Sequence, residues 1–146
     1  MKFENQGREK RLASALRWLI SLVVIAALIS VTFFAFSYYV ELSHARNALY
    51  QAKTVKLAAW VVATECYGKG SSFYDMGSES GFADGVYDEI VELSQCSGTV
   101  RLLRTKNNGY GIAEMSYTQN EFTVHYEFDG ESEQWQVYKK STYITA

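Results

Sequence analysis

The longest pattern in the chain is an apolar run near its beginning. Residues 18–40 contain no charged side chain, and as a helix they would extend about 35 Å at about 1.5 Å per residue. The hydrocarbon core of a bilayer is about 30 Å thick, so the run is long enough to cross it. Trp18 at one end and Tyr38 and Tyr39 at the other are typical of membrane–water interfaces. The pattern therefore predicts a transmembrane helix at residues 18–40.

The charge distribution predicts how that helix is oriented. Residues 1–17 hold five basic and two acidic side chains, whereas residues 18–146 hold nine basic and fourteen acidic ones. Because basic residues are concentrated on the cytoplasmic side of membrane helices, we expect a cytoplasmic basic leader at 1–17, with the C-terminal part outside the cell membrane. Membrane lipid is therefore the first predicted partner. The acidic balance of the exterior part argues against a nucleic-acid partner, which would require a basic surface.

A cleaved secretory signal is the alternative to a permanent anchor. The charged leader fits both, and a small-x-small sequence suited to cleavage occurs at Ser43-His44-Ala45. That sequence lies well past the run, however, and the run is longer than the apolar core of a signal peptide, which has about 7–15 residues. We therefore expect an uncleaved, single-pass anchor.

Helical periodicity continues beyond the apolar run. Nothing obliges a break between about Arg8 and Cys66, because the chain has no proline, and no glycine lies between Gly7 and Gly68. The sequence predicts one long helix, bare in lipid in its first half and packed on one side against a folded domain in its second half. The apolar positions of this second half recur at steps of mostly three or four: Leu42, Ala45, Leu49, Ala52, Leu57, Ala59, Trp60 and Ala63.

The rest of the chain predicts a small α+β domain. A loop rich in glycine and serine, at 68–81, precedes apolar residues at helical spacing, which predict a short helix at about 82–94. From Thr99 the apolar period changes to two, as in a half-buried sheet. Because the connections are short, the strands should be antiparallel neighbours, with the long helix as the spine that covers them. Residues 41–146 are therefore predicted to form an extracytoplasmic domain with a four-stranded antiparallel meander, its strands at 100–105, 110–117, 121–129 and 135–140.

The two cysteines predict a crosslink in this domain. Outside the membrane, the simplest interpretation of Cys66 and Cys96 is a disulfide that closes a loop of about 30 residues. Two unpaired, buried thiols are the alternative. A zinc site lacks further ligands at finger-like spacing, and the pair is not in the C-x-x-C arrangement of exchange-active cysteines.

Catalytic chemistry has no clear signature in the sequence. No G-x-S-x-G, P-loop, H-E-x-x-H or dinucleotide-binding fingerprint is present. The two histidines, His44 and His125, are predicted to be solvated. We therefore expect no enzyme, no catalytic residue, no cofactor and no metal site. Two alternatives concern acidic side chains. The acidic residues of the short helix could form an acid–base pair instead of a solvated face: Asp84, Asp88, Glu89 and Glu92. A loop could bind calcium through Asp75, Glu79 and Asp84, although their spacing is not that of an EF-hand.

The order of these elements resembles that of type IV pilins and type II secretion pseudopilins. An apolar N-terminal helix continues as the spine of a small domain, and a loop, a short helix and an antiparallel meander follow. Three segments are also similar to pilin-like proteins: Asn47 to Ala59 after the membrane helix, Gly109-Tyr110-Gly111, and Gln134 to Tyr138. The prepilin peptidase motif does not match, because Gly7 is followed by Arg8 and the apolar run contains no glutamate.

The resemblance implies a structural role. A pilin-like chain would be a subunit of an envelope filament or a secretion apparatus, and it would contact other pilin-like subunits through its N-terminal helix. Small residues at Ala26, Ala27 and Ser30 would permit close approach of helices, although most membrane helices contain such residues. The alternative is a membrane-anchored binding module that recognises a partner through the polar face of the sheet or the 68–81 loop. A tethered enzyme would need a titratable cluster assembled from distant positions.

Overall fold

A computed structural model describes the backbone of residues 2–140 and 142–144 and the side chains of residues 16–140 and 144. The predicted α+β fold, with a long N-terminal helix and an antiparallel sheet, is confirmed. Most of the basic side chains of the predicted leader precede residue 16 and lie outside the described side chains. The elements in chain order are α1 (Lys2–Lys69), α2 (Val86–Ser94), β1 (Thr99–Thr105), β2 (Ile112–Gln119), β3 (Phe122–Phe128), β4 (Glu133–Lys139) and β5 (Thr142–Ile144).

The chain divides into two compact units, residues 1–41 and 42–146. In the first unit, the side chains from Leu16 to Tyr39 are exposed. By length and composition, α1 is the one helix among the described residues that could cross a membrane. The hydroxyl groups in this part donate to carbonyl oxygens one turn earlier, as from Ser30 to Ala26 at 2.8 Å and from Thr32 to Leu28 at 2.7 Å. This bonding satisfies them without water, so they are compatible with a lipid environment.

The second unit is built on the antiparallel sheet, with strand order β1-β2-β3-β4-β5. The four predicted strands are present, and β5 is a fifth that the sequence did not predict. It is only three residues long, too short to show a period of two, and it pairs with β4 after a turn at Lys140, whose φ is 46°. One row of paired residues crosses the buried face of the whole sheet: Val100, Tyr117, Val124, Val137 and Ile144.

The C-terminal half of α1 covers this buried face. Its buried positions fall at steps of three and four, which form one side of a helix, and alanine dominates them. Small side chains let the helix backbone approach the sheet closely, while larger residues of the sheet, such as Tyr117 and Tyr126, fill the space. The buried residues of α1 are Ala45, Ala48, Ala52, Val55, Ala58, Ala59, Val62, Ala63 and Cys66. The predicted packed side is therefore correct except at Leu57 and Trp60, which are more than 60% exposed.

The short helix α2 begins later than predicted. Gly85 precedes it with a φ of 77°, a left-handed conformation that interrupts any helix running from 82. Phe82 instead forms an isolated bridge with Tyr74 and packs edge-on against Phe73, with ring centroids 5.6 Å apart. The apolar residue at 82 therefore belongs to the loop's own packing against the core.

The two cysteines are not paired, so the predicted Cys66–Cys96 disulfide is wrong for this fold. The Sγ of Cys96 lies 3.5 Å from the carbonyl oxygen of Gln51 on α1. Cys66 is fifteen residues further along the same helix, which corresponds to about 22 Å. A disulfide requires Cα atoms within about 7 Å of each other, so the fold holds the thiols too far apart. The alternative of two unpaired thiols describes the structure, with Cys66 buried and Cys96 half-buried.

Candidate assembly surface

The exposed side of α1 in the second unit carries large apolar side chains among its polar ones. Four of its large side chains, which we call the apolar stripe, are each 62–71% exposed: Tyr50, Leu57, Trp60 and Tyr67. They follow one another at steps of seven, three and seven residues, the spacing at which helices pack side by side. The ring of Tyr67 packs edge-on against the ring of Tyr110, with ring centroids 5.2 Å apart. In the second unit, α1 therefore has a buried apolar side and, on its exposed side, an open row of large apolar side chains.

A cleft of about 600 Å³ borders the stripe where α1 passes the beginning of β4. Cationic and aromatic side chains dominate its walls, so we call it the lysine–tryptophan cleft. Lys53 on α1 holds its ammonium 5.7 Å from the ring centroid of Trp135 on β4. Lys106, in the turn between β1 and β2, lies 4.3 Å from the ring centroid of Phe128. The residues that line the cleft are Lys53, Lys56, Leu57, Trp60, Lys106, Glu133 and Trp135.

The lysines of this cleft differ in whether a carboxylate contacts them. The Lys56 ammonium forms an ion pair with Glu133 and lies 4.6 Å above the ring centroid of Tyr126. The hydrogen bond from Lys56 lowers the pKa of Glu133, and burial raises the pKa of Tyr126. In the described part of the chain, no carboxylate oxygen lies within 4 Å of the Lys53 or Lys106 ammonium. Lys106 nevertheless interacts with Glu133 at longer range, since its charge also lowers the pKa of that carboxyl. In the described part of the chain, the cleft therefore presents two cations without a carboxylate in direct contact.

The acidic residues of α2, together with Asp84 just before it, form a surface of the opposite charge. They are all exposed and, among the described residues, none makes an ion pair, so they form a solvated acidic face: Asp84, Asp88, Glu89 and Glu92. The helix α2 itself lies beside the beginning of β1, because Tyr87 lines a shallow depression together with Thr99 and Arg101.

The calcium alternative finds no support in the described residues. Within them, no group of three acidic, histidine or cysteine side chains is close enough to hold a metal ion. Asp75 instead accepts a hydrogen bond from the backbone N–H of Gly77 at 2.8 Å, as in an Asx turn. The three acidic residues near the loop are therefore not brought together into a binding site.

The histidines lie on exposed surfaces. His44 is exposed on α1, and His125 is half-buried on the outer face of the sheet, with its Nε2 3.4 Å from an oxygen of Glu114. Arg104 bridges Glu114 and Glu127 on the same face, at 3.4 and 3.3 Å. Arg104 therefore joins two carboxylates of neighbouring strands in an ion-pair network on the polar face of the sheet.

Comparisons of the chain with protein-family models, with curated proteins and with solved structures found no match. The resemblance to pilin-like proteins therefore depends on the order of elements and on the three local segments named above. Function has to be argued from the surfaces of this chain.

Sequence reasoning missed most of the apolar stripe and the lysines of the cleft. The stripe could have been found from the angular position of each residue around α1, since each residue advances about 100° around a helix. Leu57 then lies about 160° from the buried Ala59, so the two cannot share one side. Lys106 could not have been found in this way, because only the sheet topology brings the turn between β1 and β2 beside α1.

Proposed function

We propose that this chain is a pilin-like structural subunit of an envelope filament or a secretion apparatus. In this proposal residues 18–40 anchor the subunit, the N-terminus is cytoplasmic, and residues 41–146 lie outside. Other pilin-like subunits pack against the helix. The support comes from the α+β architecture and from the apolar surfaces that one helix carries both in its membrane run and beyond it.

The apolar stripe is the observation that carries the proposal. A tethered domain that stays monomeric needs only one apolar side on its spine, the side that covers the sheet, and gains nothing from a second. Covering the stripe with a neighbouring helix would stabilise the assembly by about 1.5–3 kcal/mol for each large side chain fully buried. A filament or a secretion apparatus built around parallel helices supplies such a cover.

A membrane-anchored extracytoplasmic binding module is the second candidate. The lysine–tryptophan cleft favours it, because among the described residues no carboxylate lies within 4 Å of the Lys53 or Lys106 ammonium, and exposed Trp60 offers an aromatic face. In this case the chain would remain a single membrane-bound subunit, and the cleft would hold a ligand or a partner protein.

Shearing of cells that express the full chain separates the two candidates. A structural subunit should be recovered in the sheared filament fraction or in crosslinked multimers within the membrane. A binding module should remain in the membrane as a monomer, and that result would contradict the proposal.

A matched pair of substitutions tests the stripe itself. Leu57→Gln removes an apolar side chain from the stripe, whereas Leu103→Gln makes the same change on β1, where the leucine is 39% exposed and outside the stripe. We expect Leu57→Gln to reduce the multimeric fraction and Leu103→Gln to leave it unchanged. Equal behaviour of the two variants would show that the stripe does not mediate assembly.

A further inference from the structure

We infer that the lysine–tryptophan cleft of one copy of this chain receives the acidic face of α2 from the next copy. The inference rests on the proposed structural role and adds the surfaces through which neighbouring domains recognise one another. Its occupant is a second copy because this chain carries both complementary surfaces.

The two surfaces carry opposite charges, and most of these charges make no close ion pair with the described residues of their own copy. Lys53 on α1 and Lys106 in the turn between β1 and β2 both line the cleft, and neither has a carboxylate within 4 Å among the described residues. The acidic face likewise makes no ion pair within 4 Å in the same described range, although the charge of Glu89 helps to raise the pKa of Lys69. Glu133 is the one carboxylate that lines the cleft, and Lys56 neutralises it. Opposite charges of this kind guide association and reject wrong partners.

The positions of the surfaces prevent them from meeting within one copy. The cleft is attached to β4, through the contacts of Lys53 with Trp135 and of Lys56 with Glu133. The helix α2, which carries most of the acidic face, lies beside the beginning of β1 at Thr99 and Arg101, whereas Lys106 of the cleft follows the end of that strand. A contact between different surfaces of two copies leaves one of each surface free, so further copies can be added in the same way.

The apolar stripe and the cleft share Leu57 and Trp60. A copy that packs its helix on the stripe therefore places its own domain next to the cleft. Exposed ion pairs contribute little free energy singly, so we assign the strength of association to the stripe and its direction and register to the charges. Higher salt should then weaken the preference for one direction and register of association, because the Debye length falls from about 10 Å at 0.1 M to about 3 Å at 1 M.

Charge reversal in the full-length chain tests this inference. One variant, Lys53→Glu with Lys106→Glu, has two acidic surfaces, and a second, Asp88→Lys with Glu92→Lys, has two basic ones. Each alone should lose crosslinked multimers by about tenfold or more, because like charges then face each other. Co-expression of the two variants should restore multimers, and so should all four substitutions in one chain. Near-UV circular dichroism of each variant verifies the fold.

The control reverses two basic residues away from the cleft, Arg46→Glu with Lys140→Glu, which makes the same change in net charge. It should assemble like the wild type. Wild-type multimers that are unaffected by the reversals, or variants that mixing does not restore, would overturn the inference while the structural role survives. A wild-type chain that forms no multimers would overturn both. Reversals that abolish binding of a heparin probe but spare the multimers would assign the cleft to another anionic ligand and overturn the inference alone.

Discussion

Lys56 on α1 and Glu133 at the start of β4 form an ion pair above the buried ring of Tyr126. The pair joins the spine to the sheet on the side that carries the cleft. Because the hydrogen bond from Lys56 lowers the pKa of Glu133, the ionised carboxylate is stabilised in the folded state.

We expect Glu133→Gln to destabilise the domain by at most about 1 kcal/mol, since the pair is partly exposed and solvent screens it. The loss should depend on pH. The carboxylate contributes fully above its ordinary pKa of 4.5, and its contribution disappears as the pH falls through the lower value of the folded state. Urea unfolding of the full chain in detergent micelles, followed by tryptophan fluorescence at pH 7 and pH 3, measures this difference. Glu121→Gln is the control, because Glu121 pairs with the more exposed Lys140; an equal effect of both substitutions would contradict the assignment.

The second prediction concerns Gly81, which the loop brings against β1. Its φ is 79°, and a Cβ at this position would overlap the carbonyl oxygen of Leu102. Gly85 has a similar φ of 77° but open space around it. We expect Gly81→Ala to cost about 2–4 kcal/mol, because it adds a backbone clash to the strain, and Gly85→Ala to cost about 1 kcal/mol from strain alone. Denaturant midpoints measure both, and similar midpoints would show that the loop is not held against β1.

The third prediction is that both cysteines are free thiols. In the native chain, iodoacetamide should label the half-buried Cys96 faster than the buried Cys66. After unfolding without a reductant, both should be labelled, and mass spectrometry should detect two added groups. A chain that accepts label only after reduction would restore the disulfide and contradict the geometry of α1.

The free thiols illustrate what a sequence can and cannot predict in this protein. The strands were predictable because one side of each is buried, as in β3, where Phe122, Val124 and Tyr126 alternate with half-exposed residues. The long helix was predictable because no proline or glycine interrupts it between Gly7 and Gly68. The separation of Cys66 from Cys96 was not predictable from the sequence. It depends on where α2 and the segment after it lie along α1, and the length of the loop does not determine that position.

The candidate surfaces were less accessible to sequence reasoning than the fold. Leu57 and Trp60 were assigned to the packed side because apolar residues at steps of three and four were grouped into a single side. Their true positions follow only when each residue's angle around the helix is considered. The cleft needed the tertiary structure, because it combines residues of α1, β4 and the turn between β1 and β2.

The fourth prediction concerns the hydroxyl of Tyr117, which joins α1 to the sheet from inside the core. It donates to Oε1 of Gln51 at 2.6 Å and accepts from the backbone N–H of Gly98 at 3.0 Å. Tyr117→Phe leaves both partners without this bond, so we expect a loss of about 1–3 kcal/mol in the free energy of unfolding. The exposed Tyr74 provides a control, and Tyr74→Phe should change stability much less.

The same substitution should change the response to alkaline pH. Burial raises the pKa of Tyr117 from 10.0 to about 12, so the unfolded chain releases this proton before the folded chain does. Folding is therefore opposed progressively as the pH rises from about 10 towards 12. The Phe variant lacks this titration, and its stability should decline less steeply over that range, although Tyr126 retains a similar dependence because burial raises its pKa too. Parallel urea titrations at pH 8 and pH 11 measure the slopes. Identical slopes for wild type and variant would show that the Tyr117 hydroxyl reaches solvent and does not form the internal link between α1 and the sheet.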